Sequence, residues 1–254
     1  MSSPSETHPT APDNHFDTIA DVFNRIWYFS EAYAEFIITH ILQDLELRSE
    51  DTLVDIGGGT GTFTRRILDE AGAEKAYCVE PSRPMCDEAS KIGKITALCM
   101  DAHSFLSAHI PFSKLLFKEV IHHIDDRRRL WKNVYDQLPE NGRLLIITRP
   151  QTVSFPLFSS AKAAFARHQP PHPLLEAELK ECGFKILSEQ RSHTFTLPKE
   201  RWYEMLRYRF MSDLRVFSDE EIEAGIDELE TIYPDPTIEI VDDLIFIVAM
   251  KRLS

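Results

Sequence analysis

The stretch TLVDIGGGTG, residues 52–61, is a short apolar run that breaks into four glycines within five residues. Such a run predicts a buried strand that ends in a loop lying against a ligand. Gly57, Gly59 and Gly61 follow a G-x-G-x-G spacing. Glycine at those positions lets the backbone turn sharply, approach a ligand without Cβ clashes and enter a helix predicted over residues 62–68. A dinucleotide fingerprint needs G-x-G-x-x-G, a fit that Thr60 and Thr62 spoil, and the lysine of a phosphate-binding G-x-x-x-x-G-K-S/T loop is missing. Glycine clusters also make plain strand-to-helix turns, so the surrounding chain decides.

The 254 residues suffice for one large α/β domain with a substantial core, or a domain plus a cap. A net charge of −13 opposes the phosphate backbone and disfavours a nucleic-acid partner. Cys78, Cys86, Cys99 and Cys182 show neither a C-x-x-C pair nor a histidine at zinc-finger spacing. They read as reduced, mostly buried thiols of a cytoplasmic protein, with no metal site. No apolar run nears the roughly 18 residues that span a bilayer, and the start lacks a signal-peptide layout. The expectation is a chain without membrane or obligate protein partner. Residues 1–14 carry three prolines and little to bury, and read as a disordered lead to a single domain over 15–254.

Phe16, Ile19, Phe23 and Ile26 recur at helical spacing, and a helix from Ser30 aligns Tyr33, Ile37, Ile41 and Leu45. Trp27, Tyr28 and Phe29 at the junction either cover a sheet edge or close over a ligand. Residues 75–80 predict a second strand ending in Glu80, with Ser82 as N-cap and Pro84 in the next helix's first turn. Glu80 stands about 20 residues past the glycine loop, where doubly wound folds place a carboxylate for ribose hydroxyls. Strands follow at 95–100, closed by Asp101 and Ala102, and at 114–117, running into Lys118, His122 and His123. Asp125 is the predicted cap of a helix bearing Leu130, Val134 and Leu138, before a fifth strand at 143–148. This alternation predicts a parallel sheet with helices on both faces.

Four prolines in residues 149–172 break the pattern and suggest a mobile insertion. A helix over 174–182 stops at Gly183, and a strand covers 185–189 or somewhat more. Trp202, Met205 and Leu206 share a helical face, and Phe217, Ser218, Glu221 and Ile222 form a capping box with its staple. Residues 244–250 make an apolar closing strand.

With VDIGGGTG at 54–61, VEPS at 79–82, MDAHSF at 100–105, KEVIHHI at 118–124 and LPENGRLLII at 138–147, the chain resembles a class I S-adenosylmethionine-dependent methyltransferase. The likeness is to the small-molecule, ubiquinone/menaquinone-methylase-like group, and it runs from about residue 51 to 148. It implies a Rossmann-like, seven-stranded, mostly parallel sheet with an antiparallel last strand. It also implies that Gly57, Gly59 and Gly61 lie beside the methionine part of the cofactor, with Asp55 ordering their loop. Glu80 would hold the ribose hydroxyls, Asp101 the adenine amino group, the Ala102 amide and Pro81 or Met85 the ring, and the Lys118 backbone the methionine amino group. The family often begins its fourth strand with aspartate, where this chain has Lys114. The Asn/Asp-Pro-Pro-Tyr/Phe signature of enzymes acting on planar nitrogens is absent as well.

The implied activity is methyl transfer from S-adenosylmethionine to N, O or S of a small metabolite. The alternatives are a noncatalytic cofactor- or partner-binding module and, disfavoured by the glycine spacing, an NAD-dependent oxidoreductase. His122, or His123, is expected to act as a base titrating near neutrality. Arg149, Arg207 and Arg209 are candidates to clamp a carboxylate, and Trp27, Tyr28, Trp202 and Tyr203 to box a cation or aromatic amine. Residues 15–48, 149–172 and 197–232 interrupt the alternation and are expected to cap the sheet's carboxyl edge.

Overall fold

The run LVDI forms β1 (Leu53–Ile56), buried along its whole length, as a strand covered on both faces must be. In the computed structural model, which describes Asp17, Phe23, Asn24, Ile26 and residues 29–251, β1 pairs in parallel with β2 (Ala76–Val79) and β4 (Lys114–Lys118). β2 pairs with β3 (Ile95–Leu98), and β4 with β5 (Arg143–Thr148), again in parallel. The closing strand β7 (Thr237–Lys251) runs antiparallel between β5 and β6 (Phe184–Pro198). The order β3-β2-β1-β4-β5-β7-β6 gives a seven-stranded Rossmann-like sheet.

Strand alternation splits the core in two. Leu53, Leu116, Leu145 and Ile147 face Ile37 and Ile41 of α1 (Glu31–Leu45), Ile67 of α2 (Thr62–Ala71) and Ala89 of α3 (Arg83–Ala89). Val54, Leu115, Phe117 and Ile146 face Phe105 of α4 (Ala102–Ser107) and Trp131 of α5 (Arg127–Gln137). Each buried Leu, Ile or Phe contributes about 1.5–3 kcal/mol over an exposed one. The helix signals act locally on top of that: the Ser30 side chain accepts from Tyr33 N at 3.1 Å and caps α1, worth about 1 kcal/mol.

Three elements differ from their sequence expectation. Asp126, in the left-handed region at φ 45°, is the N-cap of α5 in place of Asp125. The Asp125 carbonyl instead accepts from His103 Nε2 at 2.9 Å. Residues 149–172 are packed rather than loose: Phe155, Leu157 and Phe158 are buried, and α6 (Ser159–His168) follows. Aromatic burial wins over the proline signal here, with Phe155 edge-on to Trp202 at 5.6 Å. β6 runs far past residue 189 and β7 starts ahead of residue 244, because the two form one continuous antiparallel ladder. Most side chains of β6 are exposed, so little hydrophobic alternation marks it.

After α7 (His172–Glu181), the second interruption holds α8 (Lys199–Arg207), a 3₁₀ turn at Ser212–Val216 and α9 (Asp219–Ile232). The Ser218–Glu221 capping box opens α9. Among the described residues, no helix is long and apolar enough to cross a membrane. The parallel strands end at one edge, and the site is built there.

Candidate active site

At the carboxyl end of β1 the glycine loop is required by space. Gly57 has φ 68°, and a Cβ on it would sit 2.5 Å from Val120 Cγ2. Gly61, at φ 74°, is the N-cap of α2. A Cβ there would meet Ala89, Ile92 and Ile95 side chains at 3.2 Å, so Gly61 serves helix packing rather than the cavity wall. Thr60 Oγ1 donates to Asn24 Oδ1 at 2.5 Å and Thr62 Oγ1 does so at 3.0 Å. The two threonines that spoil a dinucleotide fingerprint thus hold Asn24 against the loop.

Glu80, 6% exposed, follows β2 and lies against this loop. Its Oε2 accepts from Gly59 N at 3.0 Å and its Oε1 from Ser82 N at 2.8 Å. Burial raises its pKa, while those two amide bonds oppose the rise. Ser82 occupies the N-cap of α3 without a side-chain cap bond; its Oγ donates to Asp17 at 2.5 Å. Asp55 is buried with Thr64 Oγ1 donating to it at 2.6 Å. Desolvation lifts its pKa to about 6 against that bond and the Lys118 charge. Asp101 caps α4, accepting from Ser104 N at 2.8 Å.

Across the edge, the Lys118 ammonium lies 4.6 Å over the Phe63 ring. Desolvation, then the Arg149 charge, lower its pKa to about 8. Arg149, 1% exposed, is bidentate to Asp242 with both bonds at 2.8 Å and also pairs with Glu119. Desolvation opposes its charge, yet Asp242 outweighs it and raises the pKa. Tyr33 Oη donates to the same carboxylate at 2.6 Å. This assembly ties α1, β4, β5 and β7 together beneath the cavity.

His122 and His123 form a 3₁₀ turn after β4 with ring centroids 4.1 Å apart. Burial, then the neighbouring His123, push the His122 pKa down to about 3. The expectation of a base titrating near neutrality is therefore corrected: His122 is neutral and a weak base. Opposite it, Asp213, 3% exposed, accepts from His168 Nδ1 at 2.5 Å.

These groups surround one cavity of about 680 Å³. Asp55, Gly57, Gly59, Glu80, Pro81, Met85, Asp101, Lys118, His122, His123 and Arg149 line it; Gly61 and Ala102 do not. Four acceptor candidates sit elsewhere. Trp202 and Tyr203 are buried core residues, with Trp202 Nε1 donating to Pro156 O at 2.8 Å. Arg207 is bidentate to Glu223, at 2.6 and 2.8 Å, on the outside of α8. Arg209 donates to Phe217 O and Asp219. Helical periodicity marks a buried face but not which cavity it borders, which is why Trp202 and Tyr203 misled. Trp27 and Tyr28 lie outside the described residues.

A family model described as "Methyltransferase domain" matches residues 28–189. The chain belongs to the methyltransferase domain family. Its fold is that of class I S-adenosylmethionine-dependent methyltransferases, and it is an enzyme of that kind. The methyltransferase is similar to the cyclopropane synthase of Mycobacterium tuberculosis, with TM-score 0.61 and 18% identity over 96% of this chain and 100% of that one. It is also similar to a methyltransferase from an antibiotic biosynthesis pathway of Anabaena variabilis, with TM-score 0.63 and 16% identity over 83% and 96%. A third likeness is to a phosphoethanolamine N-methyltransferase of Haemonchus contortus, in complex with phosphomonomethylethanolamine and S-adenosylhomocysteine. There the TM-score is 0.54 and the identity 20%, over 91% of this chain and 59% of that one. No curated protein matches the chain.

The cofactor of this methyltransferase is S-adenosylmethionine. The residues present fit it: the Glu80 carboxylate keeps acceptor capacity beyond its two amide bonds, and Gly57 and Gly59 line the cavity beside it without a side chain. The wall also includes residues that sequence reasoning passed over: Asp17, Asn24, Phe63, Gln169, Met211, Asp213 and Arg215. Tyr33 was legible only as a core-stripe residue. Gln169 and Asp213 carry no motif, and the hydrogen bonds that reveal them span 47 and 45 residues.

Proposed function

We propose that this enzyme transfers the methyl group of S-adenosylmethionine to an N, O or S atom of a small molecule held at the His122 end of the cavity. The carrying observation is the convergence of the Gly57–Gly59 loop, Glu80, Asp101 and His122 on a single cavity of about 680 Å³, a size typical of small-molecule sites. In this reading Glu80 accepts from the ribose hydroxyls, Asp101 from the adenine amino group, and Pro81 and Met85 pack on the ring. Asp55 orders the glycine loop through Thr64, and the Lys118 backbone meets the methionine amino group. The acidic lining suits a cationic cofactor. When bound, the sulfonium supplies an already reactive methyl, so the protein's part is alignment of the acceptor and exclusion of water.

The cap belongs to the same proposal. Segments 15–48, 149–172 and 197–232 each contribute lining residues, among them Asn24, Gln169 and Asp213. Together they close the carboxyl edge over the acceptor. A panel of small-molecule acceptors incubated with S-adenosylmethionine, read by release of S-adenosylhomocysteine, tests the reading. Turnover of a small acceptor that is lost in a Glu80→Ala protein supports it. Turnover confined to protein or nucleic-acid acceptors contradicts it.

A further inference from the structure

Gln169 follows α6 as its C-cap, is 2% exposed, and bridges two other elements with its side-chain amide. Thr148, fully buried at the end of β5, donates from Oγ1 to Gln169 Oε1 at 3.3 Å. The Gln169 Nε2 lies 3.5 Å from His122 Nδ1. An amide nitrogen only donates, so the ring nitrogen facing it is the unprotonated one. A neutral imidazole that accepts at Nδ1 carries its proton on Nε2.

We propose that Gln169 is a positioning residue that locks His122 in the Nε2–H tautomer, so that His122 offers the methyl acceptor a hydrogen-bond donor instead of a base. The neutral state of the ring agrees with this, since burial and the neighbouring His123 hold its pKa near 3. The consequence is a selection rule. The group of the acceptor that meets His122 carries a lone pair: a hydroxyl, carbonyl or carboxylate oxygen, or an unprotonated nitrogen. A protonated or quaternary ammonium has no lone pair and would face a donor with a donor. This selection rule rests on the methyl-transfer reading; the tautomer itself does not.

Nitrogen-15 NMR of the full chain labelled in histidine reads the protonation of each ring nitrogen, with His122 assigned by its loss in a His122→Asn protein. At about pH 7 the wild type is expected to show an unprotonated Nδ1 and a protonated Nε2. Gln169→Glu presents only acceptor oxygens to the ring, so the proton is expected to move to Nδ1. A protonated Nδ1 in the wild type overturns the proposal, and so does a Gln169→Glu protein with the wild-type pattern. Should that variant fail to fold, Thr148→Val removes the hydroxyl that orients the amide and is expected to turn one tautomer into a mixture. A single unchanged tautomer in Thr148→Val overturns the lock. S-adenosylhomocysteine affinity on the same samples keeps the two claims apart: a wild type that binds none contradicts the methyl-transfer reading whatever the tautomer.

Discussion

Arg149, the residue after β5, and Asp242 of β7 face each other as a bidentate pair, both bonds 2.8 Å and both side chains at most 1% exposed. A buried pair is weak evidence of net stability, but removing one partner strands the other. Asp242→Ala takes the bidentate acceptor from the guanidinium, which keeps its pairing with Glu119, and takes the acceptor from Tyr33 Oη. The expected loss is about 3 kcal/mol, the low end for a broken buried pair because Glu119 remains. Urea unfolding of the wild type and variant measures it; a loss below about 1 kcal/mol would show that the network is not holding the sheet edge.

Asp55 gives a pH signature of opposite sign to that of most carboxylates. Its folded pKa, lifted by burial to about 6, lies above the ordinary value for an unfolded aspartate. Between about pH 4 and pH 6 the folded state therefore binds more proton than the unfolded one, and this group's contribution falls as pH rises. Above about pH 6 the full penalty of a buried charge applies, about 3 kcal/mol. Asp55→Asn keeps an oxygen to accept from Thr64 and removes the charge. The gain in stability of the variant over wild type should therefore grow from about pH 4 to about pH 6 and then level off. Denaturant midpoints across that range check it, and a difference that shrinks with rising pH would mean that Asp55 is stabilised as the anion.

The sheet and the cavity wall around the glycine loop and Glu80 were legible in the sequence because short-range signals carry them. The LVDI run, the glycine spacing and the acids closing β2 and β3 are each local, and the structure puts Glu80 against Gly59 at 3.0 Å. The opposite wall, around Gln169 and Asp213, is assembled from long-range contacts. Asp213 reaches the wall because a 3₁₀ turn far along the chain packs beside α6. Arg149 was singled out as a ligand clamp, yet its guanidinium is already held by Asp242 of a strand 93 residues away. Nor could periodicity reveal that β6 and β7 pair through the whole of a long ladder, since β6 turns mostly polar side chains to solvent.

Gly225 tests how tightly α9 seats. A Cβ on this helical residue would lie 2.3 Å from Phe158 Cδ1, and Phe158 is 2% exposed and stacked edge-on with Phe217 at 5.2 Å. Overpacking of this kind costs about 1–3 kcal/mol, against about 1 kcal/mol gained when alanine replaces glycine in a helix. Gly225→Ala should therefore fail to stabilise the protein. The double variant Gly225→Ala, Phe158→Leu should recover part of the loss. A lone Gly225→Ala that raises the melting temperature would show that the two residues are not in forced contact.

Calorimetric titration of S-adenosylhomocysteine into the wild type and into Glu80→Ala tests the central claim most directly. The variant removes a buried carboxylate, and under the proposed assignment each hydrogen bond it would accept from a ribose hydroxyl is worth about 1.5–3 kcal/mol. Tight binding by the wild type and at least about a tenfold loss in Glu80→Ala, roughly 1.4 kcal/mol, is the expected result. Equal affinity of the two proteins would contradict the assignment of the ribose to Glu80, and a wild type that does not bind would contradict the methyl-transfer site itself.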